Sequence, residues 1–185
     1  MSTDPEKWPR VTTVLKPLGD FSMVDPEVLA HAAERGTAVH LATALYDQND
    51  LDEGSIDPEV LPYLTGWIKF RNDTGFEPYT CGVECRVESA QYQYRGTLDR
   101  AGELKGKAAI LDIKTGSMIG LGAGPQTAAY LHAWNEQAPT LRALRRYVVQ
   151  LTPEADYRLI PMTSPDDWPE FLNLLGHYRF LERHQ

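Results

Sequence analysis

"RGTLDRAGELKGKAAILDIKTG", residues 95 to 116, decides how the chain is read. The segment 108 to 114 is an apolar run that carries Asp112 and Lys114 two positions apart. Side chains of a strand alternate between faces, so Asp112 and Lys114 share one face while Leu111 and Ile113 share the other. One face is aliphatic and the other reactive. "RGTLDR" places a further carboxylate, Asp99, in the preceding strand, which returns through a turn between Gly102 and Gly106. Neighbouring strands lie about 4.8 Å apart, so Asp99 and Asp112 approach each other if their register puts them on one face. Two carboxylates that close repel unless a cation lies between them or one is protonated. A hard divalent ion takes such oxygens, and a nearby lysine can orient or deprotonate an attacking water or balance charge on a phosphate. Metal-assisted phosphodiester hydrolysis is the reaction class these residues suggest.

Working outward, "EPYTCGVECRVES" and "YQYRGTLDRAG" are rich in Val, Tyr and Thr and precede "KAAILDIKT", which predicts a three-stranded antiparallel meander. Before it, Asp25-Pro26 and Asp57-Pro58 each read as an N-cap followed by proline at the first helical position. They predict a helix over about 26 to 48, or two broken near Gly36, and a second one ending near Gly75. After it come a helix in "GPQTAAYLHAWNEQ", a hairpin of "LRRYVVQL" and "DYRLIPM", and a last helix capped by Ser164 with Pro165 first. The aromatic residues of that helix read as core. The order ααβββαββα predicts an α/β domain with one mixed sheet flanked by helices, spanning 1–185.

Composition agrees with one sizeable core: 185 residues, 42% hydrophobic and 10% aromatic. The formal charge of −8, from 18 basic and 26 acidic side chains, argues against broad electrostatic attraction to nucleic acid but leaves room for a local basic groove. No apolar run reaches membrane-spanning length and "MSTDPEKWPR" has no signal-peptide character, so a cytoplasmic protein without membrane attachment is expected. Cys81 and Cys85 are too few for a disulfide framework and read as buried core thiols. "IGLGAGP" lacks the Lys-Ser/Thr of a phosphate loop and reads as the lead into a helix. Arg142, Arg145 and Arg146 form either a phosphate-facing patch or a solvated turn, while Arg35 is the better candidate for a substrate phosphate.

"GTLDR", "ILDIKTG" and "QTAAY", in that order, resemble the motif series of the PD-(D/E)XK nuclease superfamily in its RecB-like exonuclease branch. The resemblance runs from about Arg35 to Tyr130. It implies a restriction-endonuclease-like αβββαβ core and a metal-dependent DNA exonuclease using Mg²⁺ or Mn²⁺. It makes Asp99, Asp112, His40 in "RGTAVH" and the backbone carbonyl of Ile113 the metal ligands, and Lys114 the catalytic lysine. Glu84 in "VECRVES" matches the family's glutamate, with Glu88 as a competitor on the same strand. Gln126 and Tyr130, four apart on a helix, share a face from which they orient the site and touch DNA. Taken alone, His40 reads as an ordinary helix histidine; the series gives it a role. Some members hold an iron–sulfur cluster on four cysteines, which two cysteines do not support. Recombination, repair or phage DNA processing is the implied setting, with a single-strand annealing protein or a homo-oligomer as possible partner. A structure-specific endonuclease or nickase, or a non-catalytic binding module, are the alternatives.

Overall fold

The computed structural model describes residues 4–19 and 25–184. Five strands form a sheet in the order β1-β2-β3-β4-β5. Strands β1 (Glu77–Ser89), β2 (Tyr94–Leu104) and β3 (Lys107–Lys114) are the antiparallel meander. Strand β4 (Arg145–Leu151) runs parallel to β3, and β5 (Tyr157–Pro161) closes the sheet antiparallel to β4. The sheet is mixed and flanked by helices, the α/β class expected, and consistent with a restriction-endonuclease-like core.

The β2–β3 turn is tighter than the span 102 to 106. Lys105 and Gly106 both have positive φ, 51° and 71°, the two-residue geometry whose twist suits a hairpin. Gly102 is a strand residue, and a Cβ there would lie 2.7 Å from Phe76 Cζ.

Helices α2 (Pro26–Asp47) and α3 (Leu61–Thr74) cover one face of the sheet, burying Val39, Trp67 and Phe70 against Leu111, Ile113 and Val149. On the other face, α4 (Ala123–Gln137) and α5 (Asp167–Glu182) bury Tyr130, Trp134 and Phe171 against Val87, Tyr94 and Ile110. Burial of this extent at roughly 25 cal/mol per Å² of apolar surface is the main force holding both layers to the sheet. The tryptophan and tyrosine of α5 expected in the core, Trp168 and Tyr178, are partly buried and pack against this cluster, where Phe171 is fully buried and Phe180 half exposed.

Several boundaries differ from expectation. Helix α2 is continuous through Gly36, where a Cβ would meet only Thr115 Oγ1, at 3.6 Å. Asp25 caps it, its Oδ1 accepting the Glu27 N–H at 2.8 Å. Asp57-Pro58 begins a turn rather than the helix, and α3 starts at Leu61. The last helix begins at Asp167 rather than Pro165, although the Ser164 hydroxyl accepts the Asp166 N–H at 3.2 Å, the bond expected of a cap. A short helix the sequence reading did not foresee, α1 (Val11–Val14), buries Val11 and Val14 beside α4 and β2. Among the described residues, no helix is long and apolar enough to cross a membrane.

The cysteine expectation is corrected. Cys81 is exposed and Cys85 half-buried, because both lie on β1, the sheet edge, around the irregular register between Pro78 and Val83. Arg146 is neither a phosphate patch nor a solvated turn: it pairs with Asp167 at 2.7 Å and donates to the Gly124 and Ser164 carbonyls, tying α4 to α5.

Candidate active site

The register settles the question the sequence leaves open. Arg100 pairs with Leu111 across β2 and β3, so continuing the antiparallel count sets Asp99 opposite Asp112. On the other side, Cys85 pairs with Leu98 and Val83 with Arg100, which sets Glu84 opposite Asp99. Glu84, Asp99 and Asp112 therefore form one row of carboxylates across three strands. The regular ladder stops here. The Ile113 N–H is donated to Asp99 Oδ2 at 2.6 Å instead of to a backbone carbonyl.

Helix α2 brings His40 over this row. Its Nδ1 lies 3.5 Å from Asp99 Oδ1 and 3.6 Å from Glu84 Oε1, and its Nε2 is 3.1 Å from the Ile113 carbonyl. One ligand atom each from His40, Glu84 and Asp99 falls within a 4.8 Å cluster able to hold a metal ion. Asp112 stands next to this cluster, facing Lys114, whose Nζ is 2.8 Å from Asp112 Oδ2. Apart from this ion pair, neither Asp112 oxygen has a hydrogen-bond partner among the described residues, although the side chain is 1% exposed. Buried carboxylate oxygens are rarely left so. An oxygen-rich row of this kind suits a hard divalent cation.

The electrostatics follow from crowding. Burial alone pushes the His40 imidazole down, but the charges of Asp99, Glu84 and Asp112 outweigh it and lift its pKa to about 9. Burial, and then repulsion from Asp112, raise the Asp99 carboxyl against the pull of His40. Burial likewise opposes the Lys114 ammonium, yet Asp112 and Asp99 hold its pKa above the ordinary lysine value. Lys114 thus carries its proton at neutral pH, in a site that without a cation retains protons to offset its carboxylates.

Helix α4 completes the arrangement. Lys114 donates to Gln126 Oε1 at 3.1 Å, and Gln126 Nε2 donates to the Tyr130 hydroxyl at 3.3 Å. Burial raises the Tyr130 phenol, which stays neutral. Gly96 is what lets this helix sit so close: a Cβ there would lie 2.6 Å from Tyr130 Cε1. A cavity of about 390 Å³ opens onto the row, bounded by His40, Asp99, Asp112, Lys114, Gln126 and Tyr130 and also by three arginines, Arg10, Arg86 and Arg95.

Two sequence candidates fall elsewhere. Glu88 binds Arg86 at 2.6 Å, which leaves Glu84 as the glutamate beside His40. Arg35 does not line the cavity; it lies in a separate groove with Tyr63 and Thr115, 3.3 Å from Glu59. Sequence reasoning missed what holds Glu84 in place. Arg100, fully buried, donates to Glu84 Oε1 at 2.9 Å, to Asp47 Oδ2 at 2.6 Å and to Thr43 Oγ1 at 3.0 Å, with its guanidinium over Trp67. Glu84 itself sits at φ 45°, a conformation non-glycine residues seldom adopt. The one signal in the sequence was an arginine directly following Asp99 in a strand whose neighbours are apolar.

No family model matches the sequence, and no curated protein matches it. Among solved structures, a candidate exonuclease from Eubacterium rectale aligns with a TM-score of 0.51 at 13% identity, over 76% of this chain. The chain spans 63% of that protein, less than two thirds of its length. A second structure, SSO0001, aligns over 80% of this chain and 72% of its own at 15% identity, with a TM-score of 0.41. At 13% identity the likeness to the Eubacterium rectale protein is one of fold alone.

Proposed function

We propose that the chain is a single metal-dependent deoxyribonuclease domain that hydrolyses phosphodiester bonds at DNA ends. The observation that carries this reading is the row Glu84, Asp99 and Asp112, of which Asp99 and Asp112 open onto one cavity with Lys114, the partner of the buried Asp112 carboxylate. His40, Glu84, Asp99, Asp112 and the Ile113 carbonyl are the groups that would hold Mg²⁺ or Mn²⁺. Such an ion, when bound, polarises a phosphoryl oxygen and lowers the pKa of a bound water. His40 gives up the proton it carries in the metal-free site, because an imidazole ligand must be neutral. Lys114, held as an ammonium and aimed by Gln126, orients the attacking water and balances charge on the phosphoryl oxygens rather than abstracting a proton. Tyr130, buried and neutral, fixes Gln126. Arg35 contacts a substrate strand only beyond the cavity.

The fold likeness to a candidate exonuclease supports the nuclease reading, and the mode, ends rather than interior, rests on the motif resemblance. A setting in recombination, repair or phage DNA processing, with an annealing protein or further copies of the chain supplying grip on DNA, suits a domain of net charge −8. Against a non-catalytic binding module stands Asp112, since burying a carboxylate beside Asp99 with Lys114 as its one partner costs stability that a cation would offset. The test is incubation with linear and closed circular DNA, single- and double-stranded, in Mg²⁺, Mn²⁺ or EDTA. Degradation of linear DNA that EDTA abolishes is expected; cutting of closed circles points instead to an endonuclease or nickase, and degradation in EDTA refutes the metal mechanism.

A further inference from the structure

Three arginines line the cavity with the carboxylate row, and one carboxylate from elsewhere in the chain sits on two of them. Glu6, in a short turn at Pro5–Lys7, places Oε1 2.5 Å from Arg86 Nη1 and Oε2 2.7 Å from Arg95 Nη1. Two guanidinium groups from adjacent strands thus converge on one anion, with each oxygen taken by a different arginine. A phosphate, with more oxygens in the same kind of array, suits that geometry at least as well. Arg10, bridged to Arg95 through the backbone, lines the same cavity and has no ion-pair partner among the described residues. Glu88 also touches Arg86, at 2.6 Å, so three arginines face one remaining carboxylate once Glu6 is gone.

Resting on the nuclease reading above, we infer that Arg86, Arg95 and Arg10 form a second phosphate-binding subsite, which the Glu6 carboxylate occupies until a substrate strand displaces it. The ligand is a DNA phosphate other than the one being cut, either internal or terminal. Two features make the exchange feasible. The Glu6 side chain is 60% exposed and that of Arg86 47% exposed, and ion pairs this open to water are weak and screened by salt. Arg95, by contrast, also donates to the backbone carbonyls of Glu6 and Trp8, so it anchors the segment while Glu6 swings away. In a chain of net charge −8 the subsite supplies local positive potential beside the carboxylates, where a polyanion needs it.

The test is fluorescence anisotropy of an internally labelled oligonucleotide in EDTA across 50–200 mM salt, with cleavage of the same DNA in Mg²⁺ measured alongside. Arg86 is the arginine to change, because Arg95 also holds the segment in place. Glu6→Gln is expected to tighten binding several-fold and lower KM with kcat unchanged. Arg86→Gln and Arg10→Gln are expected to weaken binding and flatten the salt dependence by about 0.7 to 0.9 in log–log slope each. Arg86→Lys restores part of the loss, and in Glu6→Gln/Arg86→Gln most of the gain disappears. Melting curves verify that each variant is folded. Oligonucleotides with and without terminal phosphates separate the two sources: equal response means an internal phosphodiester, response only with the phosphate means an end. If the wild type binds and cleaves but Glu6→Gln binds no tighter and Arg86→Gln no weaker, the subsite is refuted and the nuclease reading stands. If the wild type neither binds nor cleaves DNA, both fall together.

Discussion

Replacing Asp112 by asparagine is expected to stabilise the metal-free protein while removing its response to metal. The carboxylate is 1% exposed, has Lys114 as its partner and repels Asp99, and burying such a charge costs about 1–3 kcal/mol more than burying the neutral amide that replaces it. Its loss also removes the pair with Lys114, whose side chain is 34% exposed; a pair that open contributes about 1 kcal/mol at most. The net gain is about 0–2 kcal/mol, which in a chain of 185 residues raises Tm by up to about 8 °C. Wild-type protein at a metal concentration one hundred times Kd gains about 2.7 kcal/mol, and a variant that no longer binds gains none. The two melting curves should therefore exchange order: Asp112→Asn melts above wild type in EDTA and below it in saturating Mg²⁺ or Mn²⁺. Calorimetry or thermal shift reads both conditions. A variant less stable than wild type in EDTA, or one that metal stabilises equally, would refute the assignment of Asp112 as a cation ligand.

Other expectations follow from the same geometry. Because the folded-state pKa of His40 is raised to about 9, above an unfolded value near 6.5, its contribution is complete below about pH 6.5 and is lost as pH rises through 9. Urea unfolding in EDTA should lose up to about 3 kcal/mol over that window; His40→Asn should flatten the profile, and a flat wild-type profile would count against the charge cluster. Gly96→Ala forces a methyl into Tyr130 Cε1 at 2.6 Å. Overpacking of this kind costs about 1–3 kcal/mol, and the shift of Tyr130 should loosen Gln126 from Lys114, so kcat falls along with Tm; a Tm loss with kcat intact would separate the helix contact from the site. Glu84→Gln should lower metal affinity by about 10–100-fold, the range for groups supporting a metal site, whereas Glu88→Gln, at a residue that lies on Arg86 and not in the row, leaves metal affinity unchanged. The opposite ranking would reassign the glutamate.

What could be read in the sequence was what is local. Alternation in 108–114 separates the aliphatic from the charged face of β3 without reference to any other strand, and the Asp-Pro start of α2 is a cap that acts within three residues. The carboxylate row is different: Asp99 and Asp112 meet only because the β2–β3 turn uses Lys105 and Gly106 at positive φ, and one residue more would send Asp99 to the opposite face. Arg100 and Asp47 are 53 positions apart, and neither neighbourhood advertises a buried ion pair. The arginine wall is not legible because Glu6 and Arg10 come from a segment whose apolar residues, Trp8, Val11, Val14, Leu15 and Leu18, span too few turns to reveal which strands they pack against. The cysteines were misplaced because β-propensity marks a strand but not whether it lies at the sheet edge.

Lys114 and the row it faces carry the proposed chemistry, and the measurement that tests them is single-turnover cleavage of end-labelled linear DNA in Mn²⁺ by wild type and Lys114→Ala, with metal binding to each followed by calorimetry. The expected result is unchanged or tighter metal binding by the variant, because the Asp112 carboxylate is freed, with cleavage lower by about 10²-fold or more, the scale on which one charge-stabilising donor acts. Cleavage undiminished in Lys114→Ala, or cleavage by the wild type that survives EDTA, would contradict it.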